Sequence, residues 1–111
     1  MMRHSNTATV ELNTQWQSKF IAEPHEVAWG SEVIYFIRTL EAEGVPGGIN
    51  AHVQISPDGM HWCDEGTLVP IPAAPGTTFA RVCHFGGWLR LVGELPSGAS
   101  AKVIVYVVTK E

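Results

Sequence analysis

Few residues in this chain have the types and spacing that chemistry needs. The five histidines are His4, His25, His52, His61 and His84. None pairs in an HxH or HExxH spacing, the local signature of a metal site. His52, His61 and His84 fall on strands that can be neighbours, so a zinc or nickel site would have to be assembled by the fold. They are read as surface or hydrogen-bonded side chains, and neither a metal nor another cofactor is expected. Asp58, Asp64 and Glu65 cluster in sequence, and paired carboxylates can do acid–base work or hold calcium. Here they are read as a solvated turn. Cys63 and Cys83 are the only cysteines. A bridge would close a loop of about 20 residues and contribute on the order of 3 kcal/mol. No signal peptide points to an oxidising compartment, so both are expected as buried free thiols. No Gly-x-Ser-x-Gly, phosphate-binding loop or nucleophile with a local base occurs, and the protein is expected not to be an enzyme.

The four tryptophans are Trp16, Trp29, Trp62 and Trp88. An exposed indole can stack on the face of a sugar. Trp62 and Trp88 are expected in the core. Trp16 and Trp29 flank loops and are kept as residues that could stack on a ligand.

These side chains must be positioned by strands. Short apolar runs alternate with Gly, Pro, Ser and Asp over Thr7–Leu12, Trp16–Ala22, Glu32–Ala42, Ile49–Ser56, Trp62–Val69, Thr77–Phe85, Trp88–Glu94 and Ala101–Thr109. About eight strands at roughly 10–12-residue spacing predict an all-β antiparallel sandwich of jelly-roll type. Glu32–Glu43 is the one run with helical length. Its β-branched and aromatic residues and its glycine exit favour a strand. Between two strands lies Ser56-Pro57-Asp58-Gly59-Met60-His61-Trp62. Pro presets φ, Asp can bond its own backbone and Gly accepts positive φ, so this segment predicts a tight hairpin turn carried by Ser56, Asp58, Gly59 and Trp62. Residues 1–6 are expected as a flexible N-terminal arm and 7–111 as a single domain.

Composition limits function further. Seven Lys and Arg against eleven Asp and Glu give 7 − 11 = −4 over 111 residues, with no basic cluster, which argues against nucleic acid as a partner. No apolar run approaches the ~20 residues of a membrane span. The expected site of synthesis is the cytoplasm, without export by a signal peptide. Charged residues are only 16% of the chain, against about 25% in typical soluble domains. The deficit sits in strands apolar on both pleats, Val33–Ile37 and Val103–Val108. The outer face of a two-layer sandwich should be polar. Either a loop covers these strands, or Ile34, Phe36, Ile104, Tyr106 and Val108 meet another subunit. The shortage of charge favours the second, and a homo-oligomer is expected.

The S-x-D-G-x-x-W hairpin resembles that of discoidin-like carbohydrate-binding β-sandwiches and of small β-sandwich proteins of phage particles. It also resembles the Asp-box of sialidase-type propellers. Gly87-Trp88-Leu89-Arg90-Leu91 and the closing strand Ala101–Lys110 are similar to strands of the phage modules. The resemblance covers residues 32–110. It implies a non-catalytic accessory protein of a larger particle, such as a capsid decoration or virion-associated protein. By the same analogy the oligomer would be a trimer and the partner a capsid or other particle protein. The alternative it implies is a carbohydrate-binding module.

Overall fold

The computed structural model describes residues 5–83 and 85–111. The alternating runs form nine strands: β1 (Ser5–Gln17), β2 (Lys19–Ile21), β3 (His25–Glu26), β4 (Glu32–Glu43), β5 (Asn50–Ser56), β6 (Cys63–Pro70), β7 (Gly76–Cys83), β8 (Trp88–Glu94) and β9 (Ser100–Lys110). The expected run Trp16–Ala22 is split. Ser18 takes φ 50°, and there the chain leaves one sheet for the other. The two-residue β3 is the additional strand. Two residues of the expected arm are paired, Ser5 with Lys110 and Asn6 with Thr109. The rest of that arm, residues 1–4, and His84 lie outside the described residues.

All pairings are antiparallel, in a four-stranded sheet of order β1-β9-β4-β7 and a second of order β2-β8-β5-β6, with β3 added on β8. β5 pairs with β6, β4 with β7, β2 with β8 and β1 with β9. The chain is therefore one long ribbon doubled back at the β5–β6 turn. Its successive strand pairs alternate between the two sheets. Every connection except β2–β3 and β5–β6 crosses from sheet to sheet. This wrapped ribbon is a jelly roll, as expected.

The core lies between the sheets. Val33, Tyr35 and Ile37 of β4 and Val103, Val105 and Val107 of β9 pack with Val53, Val69, Leu89 and Leu91 of the second sheet, all within 1% of full burial. Each such side chain contributes about 1.5–3 kcal/mol by leaving water. Trp16 is also fully buried, its ring stacked on Phe20 at 3.8 Å and 12°. Phe20 in turn lies over Gly93, its register partner, where a Cβ would stand 2.5 Å from the ring. A glycine is needed there by proximity, not by its backbone angles. Leu12 departs from the expected alternation. Register breaks on both sides of Glu11 and a positive φ at Asn13 turn it outward, 67% exposed.

Tyr35 brings a hydroxyl into this core. The oxygen has no hydrogen-bond partner among the described residues, and burial pushes its pKa above the ordinary tyrosine value. An unpaired buried hydroxyl costs about 1–3 kcal/mol of desolvation. Tyr35→Phe is thus expected to leave stability unchanged or to raise it by about 1 kcal/mol, read from urea unfolding at constant slope.

Candidate interaction face

Two places concentrate the residues singled out above: the β5–β6 turn and the outer face of the first sheet. At the turn, Ser56 is fully buried although it is polar. Its hydroxyl accepts from the Gly59 amide at 2.8 Å and the Asp58 amide at 3.3 Å, and donates to Asp58 Oδ1 at 3.0 Å. Asp58 Oδ1 accepts the amides of Met60 at 2.8 Å and His61 at 2.9 Å. Its other oxygen meets His61 Nδ1 at 2.6 Å. Two side chains thus satisfy four consecutive amides. The amides of His61 and Met60 hold the Asp58 carboxyl well below the usual carboxylate range. Gly59 takes φ 81°, and a Cβ there would touch the Trp88 ring.

That saturation decides what the acidic residues can do. Asp58 spends its oxygens on the turn. Asp64 accepts from Gln54 Nε2 at 3.1 Å, and Glu65 from the Thr67 amide at 3.0 Å. No cluster of metal-ligating side chains exists among the described residues. His52 and His61 are exposed and do not converge with other ligands; His25 is half-buried on β3, where desolvation lowers its pKa.

The aromatic expectations divide. Trp16 cannot stack on a ligand, because Phe20 and the core enclose it; that expectation is corrected. Trp29 is 45% exposed in the β3–β4 connection. Trp62 and Trp88 are half-buried and not in the inter-sheet core. Trp62 lies beneath the Arg90 guanidinium, 4.2 Å from the ring centroid, and Arg90 Nε donates to Gln54 at 2.9 Å. Both cysteines are free but exposed, not buried: Cys83 continues the outward pleat of Thr77, Phe79 and Arg81, and Cys63 stands at the start of β6 with its thiol toward the Ile55 carbonyl.

On the first sheet, the strand register places the residues expected at an interface side by side. One row across β1, β9, β4 and β7 reads Thr9–Tyr106–Phe36–Phe79, and the next Thr7–Val108–Ile34–Arg81. On the other side Ile104, Arg38 and Thr77 complete a third row. All five predicted residues, Ile34, Phe36, Ile104, Tyr106 and Val108, lie on this pleat, but only four are open to a partner: Ile104 is buried, 8% exposed. Phe36 and Phe79 rings lie 5.9 Å apart, and the Arg81 guanidinium lies 5.1 Å from the Phe79 centroid. Thr7, Phe36, Arg38, Thr77, Tyr106 and Val108 line a shallow depression of about 430 Å³. No loop of the described chain covers it: Phe79 remains 50% exposed. Lys110 opposite Glu32 and Lys102 opposite Glu41 bound the patch at its two ends.

Phe79, Arg38 and Arg81 are the members that sequence reasoning missed. The alternation Thr77, Phe79, Arg81 along β7 was a readable signal. Which strand lay beside it was not.

Comparison with family models found no match to the chain, and comparison with curated proteins found none. Among the described residues no helix is long and apolar enough to cross a membrane.

Two outcomes test the turn. Ser56→Ala removes a buried acceptor of two amides and is expected to cost about 1–2 kcal/mol in urea unfolding. The folded pKa of Asp58 lies below its ordinary 3.8. Its contribution is therefore present above that value and lost as pH falls through the folded pKa. Asp58→Asn should flatten the stability profile below about pH 4 relative to wild type, measured by thermal unfolding across pH.

Proposed function

We propose that this jelly roll is a non-catalytic, self-associating structural protein of a larger particle, in the manner of capsid decoration and virion-associated proteins. The observation that carries the reading is the uncovered apolar face of β9, β4 and β7. Ile34, Phe36, Phe79, Tyr106 and Val108 are contiguous, apolar and at least partly exposed, with Arg38, Arg81 and threonines around them. An exposed apolar cluster rimmed by polar residues is the usual form of an interaction site. The patch also explains the shortage of charge, since it replaces the polar outer face a solvated sandwich needs. The hairpin and strand resemblance supplies the particle context, and a homo-oligomer, a trimer by that analogy, is part of the same proposal. The proposed partners are further copies of the chain and a capsid or other particle protein, with no part for nucleic acid or membrane.

A carbohydrate-binding role has one observation in its favour, the exposed Trp29 ring. A single indole without a second ring beside it offers little stacking area. Glycan-array binding that Trp29→Ala abolishes would establish that role in place of the first.

The test of the structural reading is Tyr106→Lys, at the centre of the patch. Light scattering should show wild type as an oligomer and the variant as a smaller assembly, with circular dichroism and unfolding midpoint little changed. A wild-type monomer at all concentrations sinks the proposal.

A further inference from the structure

A sandwich has four sheet edges, and three of these are built against strand addition. β1 carries register breaks on both sides of Glu11 and a positive φ at Asn13. The edge over β8 is cut into three- and two-residue pieces, β2 and β3. β6 bulges between its pairings with His52 and Gln54, with Gly66 at φ 110°, and it ends in Pro70. Bulges, short strands and proline are the devices that stop an edge from pairing with another chain. β7 has none of these. It runs Gly76–Cys83 in unbroken register with β4, contains one charge and no proline, and pairs with nothing on its other side among the described residues. Alternate residues of such a strand turn their N–H and C=O groups outward, unpaired.

We propose that the free edge of β7 pairs antiparallel with β7 of a second copy of this chain. This rests on the self-association reading and adds an edge contact beside the apolar face. The period of two limits the register. Residues directly opposite in a ladder share a face, so the two-fold axis must pass through a residue for both cores to lie on one side. An axis at Arg81 would set two guanidiniums against each other. An axis at Ala80 uses the strand from Thr77 to Cys83. It brings Phe79 opposite Arg81 of the partner subunit, so that each ring gains a second cation. The same register sets Thr77 opposite Cys83 of the partner subunit.

The edge is complementary to itself in this register: Phe79 faces Arg81 of the partner subunit, and no two like charges meet along the strand. Joining two copies at β7 makes one eight-stranded sheet whose outer face doubles the patch, with Phe79 at its middle. The contact is isologous and closes after two copies, so it builds dimers in place of the trimer that the analogy implies, or even-numbered assemblies when two such sheets meet through their apolar faces.

The experiment uses the full chain carrying Thr77→Cys with Cys63→Ser, oxidised in air. The expected product is a covalent dimer on a non-reducing gel. Mass spectrometry should locate the disulfide between position 77 and Cys83 of the partner subunit. Hydrogen exchange on the unmodified protein is the second measurement. Amides of 77–83 should be slow at high concentration and speed up several-fold on dilution, while those of β1 do not change. An oligomer without that disulfide and without protection of β7, or a trimer, overturns the edge contact and leaves self-association standing. A monomer at all concentrations overturns both.

Discussion

The hydrogen bonds of the β5–β6 turn are the constraint on which the rest of the ribbon depends. Each later strand pairs with an earlier one at a growing distance from that point. A slip of one residue at the turn would move every paired side chain to the opposite face. Four consecutive amides must change direction there without a neighbouring strand to accept them. The Ser56 hydroxyl and the Asp58 carboxylate accept them, and Gly59 supplies the positive φ the reversal requires. Trp88 then packs on the turn from β8, and Gly87, at φ 81°, brings its backbone close against Ser56 and Pro57. The turn is thus tied to the strand that closes the second sheet.

The two sheets are finished differently on their outer faces. The second carries a polar ladder in which Arg90, Gln54 and Asp64 bond one another across three strands, with Trp62 under the guanidinium. Charge here lies over the sheet and keeps it compatible with water. The first sheet has no equivalent. Its middle rows hold Tyr106, Phe36, Phe79, Val108, Ile34 and Ile104 with Arg38 and Arg81 beside them, and its Lys–Glu pairs stand only at the ends. One molecule therefore has a solvated side and a side that is apolar at its centre. The apolar side continues to the one edge strand that lacks a block to pairing. The proposed burial of that side by further copies would leave neither the face nor the edge exposed.

Much of this was legible in the residues. Val-rich and aromatic alternation marked eight of the nine strands, and Ser-Pro-Asp-Gly marked the turn. The doubly apolar strands marked the face, because the pleat alone assigns Ile34 and Phe36 to one side and Val33 and Ile37 to the other. The break at Ser18 was not legible. A serine at positive φ has no sequence signature, and the run on both sides of it alternates smoothly. Trp16 was misplaced for a related reason. A tryptophan beside a loop reads as accessible until the sheet change at Ser18 brings Phe20 back over its ring. Cys83 was misplaced because only the pairing with β4 shows which pleat of β7 faces out, and Cys63 because burial at a strand end depends on which neighbour the end meets.

What the sequence determined by itself is therefore local: strand, turn and the two faces of each strand. These follow from steric preferences and a period of two, which need no knowledge of partners. Tertiary structure decided adjacency. It set β9 between β1 and β4, left β7 with a neighbour on one side only, and drew Phe79 and Arg81 into the patch that Phe36 and Tyr106 begin. Those relations depend on how a ribbon wraps. Wrapping is settled by burying apolar area across distant parts of the chain, which no short window of residues records.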